Sequence, residues 1–247
     1  ELAGLSTIDE VKSMSVEDVL ATQQKQMVMP TKAFDFYSPT AGGAAIGQDI
    51  LALAARSPIP LVVGTNRDEN KLWSAFDETI INADNSRWEE FTEEIFGVRA
   101  QQARNTYKAL RPDESLGGLM SAVSTDTGFR QPAQRLCENR VVNDTPTWMY
   151  WFTWPSPAFG GVIGCCHALD IPFAFDNLHS EGVSMLTGDG IERADIANRF
   201  ASEIVAFAVH GHPSWSQFNT NDRPTLIINA DTQLVHDPEA EIRVLFA

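Results

Sequence analysis

Three short stretches limit what this 247-residue chain can fold into: PIPLVVG at 58–64, TWMYWFTW at 147–154 and TLIIN at 225–229. Brief apolar runs rich in β-branched or aromatic residues and bounded by Pro or Gly are predicted to form buried strands. Between them lie blocks with helical signals. Thr7-Ile8-Asp9-Glu10 and Ser15-Val16-Glu17-Asp18 fit the capping box in its acidic form. AFDFYSPTAGG starts apolar and breaks into a turn around 39–43, and a helix is expected at about 47–56 with Leu51, Leu53 and Ala54. Two or three helices follow the first strand, one opened by Ser86-Arg87-Trp88-Glu89 and stopped by Gly97. Residues 192–209 give the clearest helix, with Ile196, Phe200, Ile204 and Phe207 on one stripe, and the C-terminus is also expected to be helical. Strands alternating with helical blocks predict α/β architecture.

Composition matters mainly for what it excludes. A net charge of −15 repels a phosphate backbone, so no nucleic-acid partner is expected. No run approaches the apolar length that spans a bilayer, so no membrane partner is expected either. Three cysteines cannot all pair, and a disulfide between the adjacent Cys165 and Cys166 would be strained, so free thiols are expected. The N-terminal ELAGLSTIDEVKSM has neither a basic start, an apolar signal core nor an initiating Met, and it begins as though in mid-protein.

Chemistry concentrates in two loops. Glu69 lies in GTNRDE just beyond the first strand, at the carboxyl end where functional groups collect in α/β sheets. There an acid can orient a histidine, although position alone does not separate it from a solvated loop glutamate, and Asp68 competes for the role. His167, in GCCHALDIPF, comes 98 positions later and follows a strand by one loop. Acid-then-histidine is the order of the last two members of an α/β-hydrolase triad, while a structural histidine is the plain alternative. A Cys165-Cys166-His167 metal site lacks a fourth ligand, and adjacent cysteines do not readily face one ion. His210-Gly211-His212 ends a predicted helix and precedes Pro213, which fits a C-terminal turn. If 147–154 is extended, Trp148 and Trp154 share one face and Trp151 the other, as in a strand buried on both sides.

IPLVVGTNRDEN (59–70) and GCCHALDIPFAFDNL (164–178) resemble the acid-bearing and histidine-bearing segments of bacterial type-B carboxylesterases, the cholinesterase-like branch of the α/β-hydrolases. FRQPAQRL (129–136), AFAVHGHP (206–213) and VHDP (235–238) fall in the same order. The resemblance implies a partial α/β-hydrolase fold, with residues 1–247 as the C-terminal portion of one domain that carries later strands and C-terminal helices. It makes Glu69 the acid and His167 the general base of a Ser-His-Glu triad, with Cys165 and Cys166 as packing neighbours. No metal or organic cofactor is implied, and the substrate is a small-molecule carboxylic ester. The family's nucleophile sits in a G-x-S-x-G elbow, which this sequence lacks; Gly4-Leu5-Ser6 and Gly182-Val183-Ser184 continue wrongly. The elbow and the Gly-rich oxyanion segment are expected before Glu1, in a missing N-terminal half that is the chain's expected partner. The chain alone is then expected to be inactive. The alternative is a non-catalytic cholinesterase-like protein-interaction module, which has no need for the Glu69–His167 pair.

Overall fold

The computed structural model describes residues 7–27, 41–44 and 46–247, and the chain divides into two units, Glu1–Ile50 and Leu51–Ala247. In the first, both predicted caps form. Thr7 Oγ1 accepts the Glu10 N–H at 3.2 Å and the Glu10 carboxylate accepts the Thr7 N–H at 2.8 Å, opening α1 (Ile8–Lys12). Ser15 Oγ accepts the Asp18 N–H at 3.1 Å and opens α2 (Val16–Met27). The turn holds at 41–44, whereas the apolar start of AFDFYSPT and Gly4-Leu5-Ser6 lie outside the described residues.

The helix expected at 47–56 is α3 (Ile50–Arg56); Ala55 is its buried residue, and Leu51 and Leu53 are exposed. The second unit is built on a four-stranded sheet in the order β1 (Leu61–Asn66), β2 (Thr147–Phe152), β3 (Pro224–Ile228) and β4 (Gln233–His236). The first three are parallel, with Leu61 opposite Thr147 and Met149 opposite Thr225, and β4 returns antiparallel with Thr225 opposite Val235. β1 starts three residues later than its apolar run because Pro58 and Pro60 have no N–H for the ladder. The carbonyls of Ala54 and Ile59 instead accept from the buried Arg140 guanidinium, at 2.6 and 2.7 Å. β4, largely exposed, has no apolar run to betray it.

The connection from β1 to β2 carries α4 (Lys71–Ser74), α5 (Glu78–Ile81), α6 (Asn85–Phe96), α7 (Ala100–Leu110), α8 (Leu116–Thr125), a π-helical turn at Asp126–Arg130 and α9 (Gln131–Val142). The cap of α6 is Asp84, which accepts the Arg87 N–H at 2.9 Å, rather than Ser86 two residues on; Gly97 does end the helix. The return to β3 carries α10 (Ile171–Ala174), α11 (Val183–Thr187) and α12 (Arg193–His210), and α13 (Ala240–Leu245) follows β4.

Side-chain alternation along β2 divides the core between the two faces of the sheet. Trp148, Phe152 and Trp154 join Phe173, Ile196 and Phe200 on one face. On the other, Met149 meets Cys137 and Phe218, and Trp151 lies under the Arg130 guanidinium at 3.5 Å. The predicted division of the three tryptophans is the one observed. A second cluster, including Trp88, Tyr107, Leu119 and Ile242, packs α6, α7 and α8 against α13. Gly64 is fixed by close approach, since an added Cβ would lie 2.0 Å from the Tyr150 ring.

Candidate active site

At the carboxyl end of β1 the chain turns back on itself. The Asn66 N–H donates to Glu69 Oε1 at 2.7 Å, and Glu69 sits in the turn with 5% of its surface exposed. Its other oxygen, Oε2, lies 2.6 Å from His167 Nδ1. Burial raises the Glu69 pKa above the usual carboxylate value, against the opposing pull of the Asn66 N–H and of the bond to His167. The His167 side chain keeps 42% of its surface exposed beside the nearly covered acid. A carboxylate that accepts from Nδ1–H leaves Nε2 with a free lone pair, as a general base requires.

Asp68 has a different place. Its Oδ2 accepts the Cys165 N–H at 3.0 Å, and its own N–H donates to the Cys165 carbonyl at 2.9 Å. With the His167 N–H donating to the Glu69 carbonyl at 3.3 Å, these bonds stitch the acid loop to the histidine loop. Gly164 completes the seam with φ of +52°, and a Cβ there would lie 2.7 Å from Asp68 Oδ2. Cys165 and Cys166 are buried, with Cys165 Sγ donating to the Phe152 carbonyl at 2.9 Å, and burial pushes the Cys166 thiol up to about 11. Both are free, buried thiols, as packing neighbours of the kind the resemblance implies would be. His210-Gly211-His212 is the C-terminal turn of α12, with the Gly211 N–H bonded to the Phe207 carbonyl at 2.8 Å. Among the described residues no group of three or more His, Cys, Asp or Glu is placed to hold a metal ion, and no helix is long and apolar enough to cross a membrane.

Sequence reasoning missed the groups that surround this pair. Asn66 Nδ2 donates to the Cys166 carbonyl at 2.8 Å and to Asp170 Oδ1 at 3.1 Å, and the Tyr150 hydroxyl donates to Asp170 Oδ2 at 2.8 Å. Burial pushes the Tyr150 phenol upward, which keeps it a donor. The rings of Trp73 and Phe129 lie 5.1 and 5.4 Å from the imidazole centroid. Trp73 is four residues past Glu69, a one-turn spacing that could have flagged it. Phe129 comes from a distant π turn and left no local signal. A cleft of about 550 Å³, lined in part by Val63, Phe129, Leu136 and Ile171, contains Glu69 and His167. A separate cleft of about 490 Å³, where Lys71 pairs with Glu114 at 2.6 Å, contains neither.

Residues 4–244 match the model of a family described as the carboxylesterase family. The chain is 28% identical over 251 residues to the para-nitrobenzyl esterase of Bacillus subtilis, covering 96% of this chain and 48% of that one. It is 28% identical over 181 residues to the phenmedipham hydrolase of Pseudarthrobacter oxydans, covering 70% of this chain and 36% of that protein. Among solved structures, a PNB esterase superposes with a TM-score of 0.76 at 25% identity over 100% of this chain and 51% of its own. A carboxylesterase of Geobacillus stearothermophilus superposes with a TM-score of 0.77 at 21% identity over 99% of this chain and 51% of its own. The chain therefore spans about half the length of the para-nitrobenzyl esterase and of the two solved structures, and little over a third of the phenmedipham hydrolase, and its sheet and helices are those of part of an α/β-hydrolase fold.

Proposed function

The chain belongs to the carboxylesterase family, and from that premise we propose that it is the C-terminal portion of a carboxylic-ester hydrolase domain, supplying the acid and base of a Ser-His-Glu triad. The observation that carries this reading is the 2.6 Å contact between the buried Glu69 Oε2 and the partly exposed His167 Nδ1 in an apolar-walled cleft. In the proposed reaction a serine from an N-terminal half of the same fold attacks the ester carbonyl while His167 Nε2 takes its proton. The tetrahedral intermediate collapses, and Nε2 returns that proton to the leaving alkoxide, releasing the alcohol and leaving an acyl-serine. Water attacks the acyl group with His167 Nε2 taking its proton, and Nε2 returns that proton to the serine oxygen as the carboxylic acid leaves. Glu69 holds the imidazole's tautomer and stabilises the imidazolium. The names of the relatives, para-nitrobenzyl esterase among them, support an ester as the bond attacked. Val63, Phe129, Leu136 and Ile171 suit the apolar part of a small ester rather than a charged one.

The test is p-nitrophenyl acetate hydrolysis. The chain alone should be no faster than its His167→Ala variant, because a base without a nucleophile loses several orders of magnitude of rate. Combined with an N-terminal half that carries the serine elbow, it should turn over, and His167→Ala should remove the turnover. A combination that folds and binds a protein partner but hydrolyses no ester would favour the interaction-module reading.

A further inference from the structure

His167 is tethered to the acid by one side-chain hydrogen bond, at Nδ1. A single bond leaves the ring free to tilt about it, so something else must set the direction of Nε2. The Trp73 and Phe129 rings pack against the imidazole, and they lie 6.3 Å from each other. Trp73 lies on α4, four residues past Glu69. Phe129 comes from Asp126–Arg130, the π-helical turn that interrupts the continuous run from α8 to α9. Such a turn holds one residue more than an α-turn, so the helix beyond it is rotated by about 100°, one residue's share of a 3.6-residue turn. Such turns are rare, and both ends of this one are held by side chains. At its start the buried Asp126 carboxylate accepts the Tyr107 hydroxyl at 2.7 Å. At its end the buried Arg130 guanidinium donates to the Pro238 carbonyl at 2.6 Å and to Glu239 Oε2 at 3.2 Å, with Trp151 beneath it. Glu239 also accepts from Arg111 at 3.4 Å and occupies the left-handed backbone region, with φ of 55°, where a residue other than glycine stays only when its surroundings hold it.

We propose that Arg130 and Glu239 are positioning residues: by clamping the π turn at 126–130 to the start of α13, they hold the Phe129 ring against His167 and fix where Nε2 points in the cleft. The inference rests on the ester-hydrolase reading for its functional meaning, but the mechanical coupling is measurable without turnover.

The experiment is a proton–carbon NMR spectrum of this chain's imidazoles, isotopically labelled in its five histidines and recorded with an unlabelled N-terminal half bound, with His167 assigned through His167→Gln. Phe129→Leu should move the His167 ring signals by removing a ring current, and Glu239→Gln should move the same signals in the same direction while His179, His210 and His212 stay in place. Circular dichroism establishes that each variant is folded; should Glu239→Gln unfold, Glu239→Asp and Arg130→Lys, which keep the charges but shorten the reach, should give the same displacement. In the enzyme complemented with a serine-bearing half, Glu239→Asp should lower kcat about tenfold or more with KM little changed, since misplacing a catalytic group by an ångström costs about 10²-fold. Folded Glu239 and Arg130 variants whose His167 signals superimpose on the parent's would overturn the proposal. If the complemented parent hydrolyses no ester, the hydrolase reading fails, and the ring spectra still decide the coupling.

Discussion

Asp68 and Glu69 are adjacent, both buried and both acidic, yet the structure assigns them opposite consequences. Asp68→Ala removes the carboxylate that accepts the Cys165 N–H at 3.0 Å and leaves that donor buried, while Lys71 keeps Glu114 at 2.6 Å. A hydrogen bond to a charged group contributes about 1.5–3 kcal/mol, so the loss should be about 2–3 kcal/mol. For a domain of this size that lowers Tm by about 4–12 °C. Glu69→Gln should cost less than about 1 kcal/mol. Burial already opposes ionisation of Glu69, and the amide oxygen can still accept the Asn66 N–H. The amide nitrogen, however, donates to Nδ1 and forces the proton onto Nε2, the wrong tautomer for a base; in a serine-protease triad that exchange costs about 10⁴-fold in kcat. Urea unfolding and Tm of the two variants, together with p-nitrophenyl acetate turnover after complementation, read both quantities. The reasoning fails if Glu69→Gln destabilises more than Asp68→Ala, or if it retains parental turnover.

Other expected outcomes concern the packing, the buried charges and the sheet edge. Gly64→Ala would set a Cβ 2.0 Å from the Tyr150 ring; it should destabilise by about 1–3 kcal/mol and alter the near-ultraviolet dichroism, and a change under about 0.5 kcal/mol would contradict the close approach. Burial pushes Asp126 up to about 6 from 3.8. A carboxyl raised on folding contributes stability that is complete below its unfolded value and lost as pH rises through its folded one. Between pH 4 and 6 it should therefore remove at most about 3 kcal/mol, a drop absent from the urea midpoints of Asp126→Asn. Among the described strands β1 is paired only with β2, so its outer edge is open. The isolated chain should self-associate in sedimentation velocity and become monodisperse with an N-terminal half, whereas a monomer that melts cooperatively at high concentration would count against an unfilled edge.

Much of this was legible in the sequence because local chemistry decided it. Thr7 and Ser15 cap helices with their own side chains, Pro and Gly bracket the strands, and Gly211 ends α12. The faces of Trp148, Trp151 and Trp154 follow from the two-residue period alone. What stayed hidden depends on tertiary partners. β4 is visible only as the neighbour of β3, since its residues are mostly exposed. The π turn at 126–130 contains no helix-breaking residue besides Gly128, and the partners at its two ends, Tyr107, Pro238 and Glu239, are far away in sequence. Position alone does not separate Asp68 from Glu69, and only the resemblance chose between them, because their roles differ through what Asn66 and the loop at 164–167 offer each of them.

The central claim is that Glu69 holds His167 as a base with Nε2 open to the cleft. Nitrogen-15 NMR of the neutral imidazole tests it most directly, since the ring-nitrogen shifts report which nitrogen carries the proton. The proton of His167 should sit on Nδ1, hydrogen-bonded and shifted far downfield, and should transfer to Nε2 in Glu69→Gln. A His167 that carries its proton on Nε2 in the parent chain, or a tautomer that does not respond to Glu69→Gln, would contradict it.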